Sequence, residues 1–574
     1  FGIGDGGGGP TEEFIENGLR QQNLEGTGKV RFGSAASYLE QLDRYAQDLP
    51  VWVGELYLEV HRATLTTQAR TKRGNRMLEN ALRKVEFLCA LARDGAYPRE
   101  TLDRLWKTLL INQFHDILPG SSIRLVYERT EREHRECLEA CDKLIRETAQ
   151  ERFVADEQSL SLVNVLSWPV EHVLTLPADW EGVQLEGNGE ILASQRSDAG
   201  LDVQVRIQPL SAVSLLRKST PAPQVTISDD GDGIVLANDL IEYHFTRTGR
   251  LVRAKDRDRD HEWLAPGEQA NLLTLYADHP TNWDAWDIDV TYDEKVLSQL
   301  EADDVSPVVQ GPVAARVTFT YHTGNSTISQ EVVLANGSRR LEFRTQVDWH
   351  ERHRMLRVSF PVNVWNEYAT YDIQYGYIRR PTHCNTSWDH ARFEVAAHKY
   401  ADLSGNDFGV ALLNDCKYGH RIRDNVIDLN LLRSPTYPDP DADQGQHVFT
   451  YALYPHWGDL IHSDTIREAN ALNHPPIVLE GLRTGDFKVP FALESDGVSL
   501  EVVKKAHKNA DTIIRLVEYR GMHSEARLTL DPCWREILET NLMEWEDVPV
   551  PKNSDGVIEL TFKPFEIRTF RLKA

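Results

Sequence analysis

The spacing of apolar residues changes once along this chain, from a helical period to a strand period, and this change constrains the fold most. Between residues 70 and 152, leucines and valines recur every three or four residues, as on one face of an α-helix. From about residue 158 the pattern alternates, most strictly over residues 341–349, which follow an Asn336-Gly337 turn. We therefore predict a three-helix bundle followed by antiparallel β-structure as far as residue 570.

The chain is too long for one hydrophobic core, because domains usually contain ~50–250 residues and this chain has 574. Near the amino terminus we predict strands at 30–32 and 51–53 around a helix at 34–46, an alternation that indicates the end of an α/β domain. The expected protein is a multidomain α+β chain with five regions. These are the end of the α/β domain at 1–62, the bundle at 63–155, a first β-sandwich at 156–224, a large β-sandwich at 225–472 and a small C-terminal β-sandwich at 473–574.

Charge and cysteine content exclude several classes of partner. The chain has 63 Lys and Arg against 88 Asp and Glu, a formal charge of −25 that repels phosphate backbones. We expect no nucleic-acid partner and no anionic-membrane partner, whereas a neutral sugar is compatible. No apolar run approaches the ~18–20 residues of a membrane helix. The six cysteines lack the spacing of a disulfide framework, which favours a reducing, cytoplasmic compartment.

The first motif is the Gly-rich opening. Gly2, Gly4 and Gly7 match G-x-G-x-x-G, but a dinucleotide site requires a helix that opens on the motif, and here Pro10 follows four consecutive glycines. Asp5 stands between glycines that allow close backbone approach to a ligand, where a carboxyl can act as acid or base. The alternative is an aspartate that caps a turn.

The second motif is Asn112-Gln113-Phe114-His115-Asp116, at the end of an apolar helix. A neutral imidazole is a good zinc ligand, but a zinc site needs at least three protein ligands. On local grounds His115 is either one metal ligand or a core histidine paired with Asp116.

Two further clusters have a chemical and a structural interpretation. His134, Cys137 and Cys141 share one helix face, which we interpret as a half-buried apolar face because zinc sites usually draw ligands from two elements. Residues 282–289, with the sequence NWDAWDID, contain two indoles and three acids. The indole of Trp286 could stack on a sugar ring while carboxylates bind hydroxyls, or the run could be an acidic strand end.

Six segments, taken in order over nearly the whole chain, resemble glycoside hydrolase family 38, and most of all its bacterial, vacuolar and cytosolic branch. They are GDGGGGPT at 4–11, GELYLEVHR at 54–62 with TTQA at 66–69, NQFHDILPGSS at 112–122, NWDAWDID at 282–289, LRSP at 432–435 with PDP at 438–440, and YALYPH at 451–456. The resemblance implies a β/α-barrel-like catalytic domain, a three-helix bundle and β-sandwiches. It also implies an exo-acting α-mannosidase that removes terminal α-mannosides from oligosaccharides by zinc-dependent, retaining hydrolysis.

The resemblance also assigns roles to single residues. His115 matches a ligand of the family's one zinc ion, and Asp116 matches a carboxylate that binds mannose hydroxyls. Asp5 lies where the family's candidate general acid lies. Tyr377 and Arg433 match β-domain residues that reach the sugar, and together with Trp286 they complete the expected substrate-binding set.

The chain departs from the family pattern in its metal ligands. We find no usable His-x-Asp pair before the bundle, and His462-Ser463-Asp464 has the spacing but lies in the β region. The chain also opens at Phe1 within a motif. We therefore expect a missing amino-terminal segment of the same enzyme, and residues 1–574 alone to be inactive. The alternative is a non-catalytic carbohydrate-binding or assembly chain, and a homo-oligomer is compatible with either.

Overall fold

The computed structural model describes residues 8–92, 97–187, 189–219, 226–228 and 233–574. The chain divides into two compact units, Phe1–Tyr57 and Leu58–Ala574. Helices and antiparallel sheets make up the described residues, which confirms the predicted α+β class.

The first unit contains two helices, α1 (Glu12–Gln21) and α2 (Ala35–Asp43). The hydroxyl groups of Thr11 and Ser34 cap them by accepting a backbone N–H three residues on. The strands predicted at 30–32 and 51–53 are wrong, since both segments are irregular. A strand requires a hydrogen-bonded neighbour, and residues 8–57 supply none.

The second unit begins with the predicted bundle, which is confirmed as α3 (Ala69–Ala90), α4 (Arg99–Asn112) and α5 (Arg124–Arg152). One apolar face of each helix turns inward. The shared core contains Leu78, Leu82, Val85, Leu102, Leu105, Leu109, Cys137, Cys141 and Ile145.

His134 lies on the same inner face of α5 and is only 3% exposed. Its ring packs so closely on Gly74 that a Cβ there would lie 2.3 Å from His134 Nδ1. Burial lowers the pKa of His134 to about 4. The burial of His134, Cys137 and Cys141 agrees with the apolar-face interpretation, and the part of the chain that the structure describes holds no group of three His, Cys, Asp or Glu that could bind a metal.

The bundle is followed by the first sandwich. Its strands are β1 (Val154–Asn164), β2 (Val170–Leu176), β3 (Gly182–Leu185), β4 (Ser194–Ser197), β5 (Gly200–Ile207) and β6 (Ser211–Lys218). One sheet has the order β2-β5-β4, and β1, β6 and β3 belong to the other. The inner faces of these strands form a separate apolar cluster around Trp180.

The large sandwich region contains twenty strands and the short helix α6 (Ser387–Ala391) among its described residues. The strands are β7 (Thr226–Ser228), β8 (Ile234–Ala237), β9 (Ile241–Phe245), β10 (Leu251–Asp256), β11 (Leu272–Ala277), β12 (Val296–Gln299), β13 (Asp304–Val305), β14 (Val308–Gln310), β15 (Ala314–Thr323), β16 (Ser326–Ala335), β17 (Leu341–Trp349), β18 (Arg354–Pro361), β19 (Tyr368–Ile373), β20 (Gly376–Pro381), β21 (Val395–Ala396), β22 (Tyr400–Ser404), β23 (Phe408–Asn414), β24 (Gly419–Arg423), β25 (Val426–Arg433) and β26 (Gly445–Trp457).

Two of its sheets pack against each other, where Phe360 of β18 contacts Phe343 of β17 and Tyr451 of β26. The larger has eleven strands, in the order β20-β19-β22-β23-β26-β17-β16-β15-β14-β7 with β13 beside β15. The smaller has the order β12-β11-β18-β25-β24-β21, and a third sheet has the order β10-β9-β8. The alternation predicted at 341–349 is confirmed by β17, whose odd-numbered residues are all buried.

After helix α7 (Thr465–Asn473), the last strands do not form one domain as predicted. They are β27 (Ile477–Arg483), β28 (Phe491–Glu494), β29 (Val498–Lys505), β30 (Thr512–Glu518), β31 (Ser524–Leu530), β32 (Glu536–Thr540), β33 (Val548–Pro549), β34 (Val557–Phe562) and β35 (Ile567–Lys573). Strand β27 returns to pair with β1 and completes the first sandwich in the order β27-β1-β6-β3. The C-terminal sandwich therefore starts after residue 483, with sheets β28-β31-β34 and β29-β30-β35-β32-β33.

The bundle packs directly on this C-terminal sandwich. Arg83 of α3 forms an ion pair with Glu501 at 2.7 Å, and Arg99 of α4 donates to the carbonyl oxygens of Ala506 and Asn509. One apolar cluster runs from the bundle through β27 into both C-terminal sheets. Bundle and sandwich therefore share a single core.

None of the helices in the described ranges combines the length and apolar character needed to cross a bilayer.

The buried His134 predicts a pH effect on the bundle. Its pKa falls from 6.5 to about 4 on folding, so the unfolded chain binds more protons between these values. Stability should fall as pH falls through this window. The change His134→Leu should therefore stabilise the bundle by about 2 kcal/mol more at pH 5 than at pH 7.5, as measured by hydrogen exchange of α3 and α5 amides.

The matched control is Cys137→Ala, which alters the same buried face without a group that ionises between these pH values. The effect of Cys137→Ala on stability should be equal at pH 5 and pH 7.5. If His134→Leu showed the same pH-independent effect, the histidine would not be neutral in the folded bundle.

Candidate functional site

The candidate site lies at one end of the bundle, where α3 and α5 begin and α4 ends. Helix α4 ends at Asn112, and turns follow. His115 is on these turns, with its side chain 73% exposed. It is therefore not a core histidine. Its Nε2 lies 3.2 Å from Oδ2 of Asp116, and its ring contacts Phe114 with centroids 4.2 Å apart.

Asp116 is held by the start of the next helix. Its Oδ1 accepts a hydrogen bond from Ser121 Oγ at 2.9 Å, and its backbone oxygen accepts from Ser122 Oγ at 2.8 Å and from the Tyr127 hydroxyl at 3.2 Å. The carboxylate keeps 36% of its surface exposed. It can therefore still accept hydrogen bonds from a ligand.

Hydrogen bonds join the turn that carries His115 to the segment just before α3. Lys72 Nζ donates to the carbonyl oxygens of Thr67 and Leu118. Gly120 has a φ of +94°, and a Cβ there would lie 2.5 Å from the Thr67 carbonyl oxygen, so only glycine fits. Burial lowers the pKa of Lys72 to about 7, and the nearby Asp443 acts in the opposite direction.

Thr67 also meets Arg433, which was expected to contact sugar. Arg433 has no exposed side-chain surface, and its guanidinium binds Asp278 Oδ2 at 2.7 and 2.9 Å. It also donates to Thr67 Oγ1 at 2.8 Å and to the carbonyl oxygens of Asp284 at 2.9 Å and Asp287 at 3.3 Å. Burial raises the pKa of Asp278, and Arg433 opposes that rise. Arg433 thus lies behind the 282–289 loop and positions it.

The three acids of this loop have partners within the protein. Asp284 accepts from the Thr436 backbone N–H at 2.6 Å, Asp287 from Arg62 at 3.3 Å, and Asp289 from the Thr281 backbone N–H at 3.1 Å. These carboxylates therefore hold the loop in place. The loop is also held by Thr67, whose hydroxyl lies 3.0 Å from the Ala285 carbonyl oxygen.

The two indoles differ in accessibility. Trp286, the predicted sugar platform, is half-buried and meets the edge of His61 with ring centroids 5.0 Å apart. Trp283 is 63% exposed and has a φ of +58°, a backbone conformation that is rare for an aromatic residue. Sequence reasoning missed Trp283, because no local pattern distinguishes the exposed indole from the packed one.

The other two predicted residues do not join this group. The Tyr377 hydroxyl donates to the Arg520 carbonyl oxygen at 3.0 Å, and its ring packs against Phe565 at 5.1 Å. These contacts place Tyr377 against the C-terminal sandwich, where burial raises the pKa of its phenol. Asp5 lies outside the described residues.

A zinc ion requires three or four protein ligands at this kind of centre. His115 and Asp116 offer two adjacent donors, and no set of three or more His, Cys, Asp or Glu suited to a metal occurs within the described ranges. These residues alone do not complete a zinc site. The exposed imidazole, carboxylate and indole can nevertheless bind a polyhydroxylated ligand through hydrogen bonds and a flat apolar face.

Three family models match successive parts of the chain. The alpha mannosidase middle domain matches residues 59–151, the glycosyl hydrolases family 38 C-terminal domain matches 236–441, and the family 38 C-terminal beta sandwich domain matches 497–570. The first match covers the bundle with His115 and Asp116, and the second covers the loop with Trp283 and Trp286 together with Arg433.

Similar proteins agree with these matches. Alpha-mannosidase 2C1 of Mus musculus and of Homo sapiens are each 36% identical to this chain over all of it, and an alpha-mannosidase of Saccharomyces cerevisiae is 34% identical. The chain spans about half the length of these relatives, 55%, 55% and 54% respectively.

A solved structure shares the fold. The crystal structure of an alpha-mannosidase from Enterococcus faecalis V583 superimposes with a TM-score of 0.73 over 97% of this chain and 74% of that chain, at 16% identity. At this identity the likeness concerns the fold alone. With the family models covering the bundle and both later β regions, the chain belongs to glycoside hydrolase family 38, of which it carries the middle and C-terminal domains.

Proposed function

We propose that this chain forms part of a zinc-dependent, retaining α-mannosidase that removes terminal α-mannosyl residues from oligosaccharides. The observation that carries the proposal is that one hydrogen-bond network through Thr67 holds both the turn with the exposed His115–Asp116 pair and the loop with the exposed Trp283 indole. Thr67 and Arg433 tie the loop that carries the indole to the segment that begins the bundle. Membership of family 38 supports the α-mannoside as substrate class.

In this proposal, Asp116 accepts hydrogen bonds from sugar hydroxyls through its exposed carboxylate surface. Trp283, more accessible than Trp286, presents an indole face to the C–H surface of the sugar ring. Arg433 acts through the loop and does not touch the sugar.

We also propose that His115 supplies one ligand to a zinc ion whose other ligands lie outside the described residues. Such an ion supplies Lewis-acid stabilisation of charge at oxygen atoms when it is bound. A retaining hydrolase further requires two carboxyl groups ~5–5.5 Å apart. Asp5 remains our candidate for the general acid, and the nucleophile is expected in another segment of the enzyme.

The cytoplasm is the proposed compartment. All six cysteines lie in the described residues, and none forms a disulfide although four are buried. Free thiols persist in reducing compartments. The proposed partners are a mannose-containing oligosaccharide and the remaining segment of the same enzyme.

The change His115→Ala in the complete enzyme should remove bound zinc and nearly all hydrolysis of an aryl α-mannoside. Loss of one ligand from a three- or four-ligand site leaves the metal weakly held. Zinc content by elemental analysis and turnover are the two measurements.

The matched control is His462→Ala. His462 is also an exposed histidine, 72% exposed, beside a carboxylate at 2.7 Å. The His462→Ala variant should retain both bound zinc and hydrolytic activity. Retention of zinc by His115→Ala would overturn the ligand assignment even if turnover fell.

The change Arg433→Lys tests the positioning role. Lysine cannot reach Asp278, Thr67 and the two loop carbonyls together, so the loop should shift and turnover should fall about 100-fold. Steady-state kinetics at matched protein concentration give the measurement.

Arg357→Lys is the control, because Arg357 is equally buried but binds Glu394 and Asp428 instead of the loop. Both variants should lose comparable stability in thermal unfolding. For each variant, the loss of turnover is compared with the fall in melting temperature. If the two variants showed the same ratio, the loss of turnover in Arg433→Lys would be due to general destabilisation.

Residues 1–574 expressed alone should neither bind zinc tightly nor hydrolyse an α-mannoside, since the described residues offer too few ligands. A metal titration and a hydrolysis assay, repeated on the complete enzyme, test this. Activity from residues 1–574 alone would show that the catalytic carboxyls are among residues interpreted here as structural.

A further inference from the structure

A cavity with a volume of about 370 Å³ lies within the second unit, apart from the His115 turn. Its walls come from the bundle helices α3 and α4, the turn between β19 and β20, helix α7, and strands β29 and β30 of the C-terminal sandwich. Neither His115 nor Asp116 lines it. Its volume falls within the range of cavities that hold small molecules.

Two deeply buried polar side chains on this wall have atoms that lack a hydrogen-bond partner in the described structure. Arg76 is 4% exposed and donates to Tyr418 and Asn473, but its Nη2 has no partner. His474 is 7% exposed, and its Nδ1 has no partner. Unpaired buried polar atoms are costly, which indicates that a ligand or ordered water completes them.

The charges around the cavity nearly balance, which disfavours an ionic ligand. Three basic side chains line it, Arg76, Arg83 and Lys399. Four acidic side chains stand against them: Glu79, Glu86, Asp372 and Glu501. Burial raises the pKa of Glu86 to about 7, so this carboxyl is partly neutral at physiological pH. A neutral ligand that both donates and accepts hydrogen bonds fits this mixture.

Aromatic side chains supply the remaining surface. Trp106, Tyr400 and Tyr519 line the walls, and Tyr375 lies on the β19–β20 turn. Tyr375 has a φ of +53° at the second of the two turn residues, a position where glycine or asparagine is usual. Tyr375 is 46% exposed. A flat aromatic surface beside paired donors and acceptors suits the two sides of a pyranose ring.

We propose that this cavity is a binding site for a neutral hexose. The hydroxyl groups of the sugar would accept from Arg76 Nη2 and Lys399, pair with His474 Nδ1, and donate to the carboxylates of Asp372 and Glu501. The aromatic wall would cover its C–H face. This inference goes beyond the proposed hydrolase function and does not depend on it.

The experiment is a calorimetric titration of the protein with D-mannose, D-glucose and D-glucuronate. The neutral hexoses should bind in the millimolar range and the anionic glucuronate should bind more weakly. The changes His474→Phe and Tyr375→Gly should each weaken hexose binding about three- to ten-fold, the effect of one lost hydrogen bond or aromatic contact. Neither should reduce thermal stability, because one removes an unpaired polar atom and the other relieves a positive φ.

The control is His420→Phe, since His420 is also buried but both ring nitrogens have partners, Asn414 and the Tyr418 carbonyl. It should lower the melting temperature and leave hexose binding unchanged. Unchanged hexose binding in His474→Phe and Tyr375→Gly would show that the cavity holds only water, and preferential binding of glucuronate would refute the ligand class.

A second comparison separates this site from the proposed hydrolase site. Hexose binding at the cavity should persist in His115→Ala and be weakened in His474→Phe. If hexose binding were instead weakened in His115→Ala and persisted in His474→Phe, the hexose would bind at the His115 turn, and the cavity proposal would be overturned.

Discussion

The buried contact between Arg433 and Asp278 organises the end of the bundle. A guanidinium with no exposed surface must have its donors satisfied, because an unpaired buried charge is strongly destabilising. Arg433 meets this requirement with one carboxylate, one hydroxyl and two loop carbonyls. These partners come from residues 67, 278, 284 and 287, so one side chain fixes segments that are far apart in sequence. The Trp283 and Trp286 indoles owe their positions to this requirement.

Further hydrogen bonds connect Thr67 to the turn that carries His115. The hydroxyl group of Thr67 contacts Arg433 and the loop. The carbonyl oxygen of Thr67 accepts a hydrogen bond from Lys72, which also donates to the Leu118 carbonyl oxygen. Gly120 lets the two backbones come close enough for this bridge. The exposed His115–Asp116 pair is therefore presented from a rigid base, as a binding site requires.

Helix α3 links this end of the bundle to the cavity proposed to bind a hexose. It begins just after Thr67, and about two to three turns further along the helix Arg76 and Glu79 line the cavity. Glu79 accepts from the Gln113 side chain at 2.8 Å, two residues before His115. The opposite wall belongs to the C-terminal sandwich, which is joined to the bundle by the Arg83–Glu501 ion pair and by one apolar core that also includes β27. The cavity is thus a product of domain packing.

The sequence by itself determined the helices of the bundle and the alternating strands, because a period of 3.6 or 2 is written in neighbouring residues. It also placed His115 and Asp116 together, since they are adjacent in the chain, and the resemblance to family 38 rested on contiguous motifs. The strands expected at 30–32 and 51–53 failed because strand formation depends on a partner that local sequence does not specify. Likewise, only the tertiary structure decided that β27 returns to β1 and that Arg433 is buried behind the loop. It also decided that Trp283 is exposed while Trp286 is packed, and that Arg76 and His474 meet at one cavity. Burial, ion pairing and cavity shape depend on contacts between residues up to several hundred positions apart, and these contacts exist only after the domains have packed.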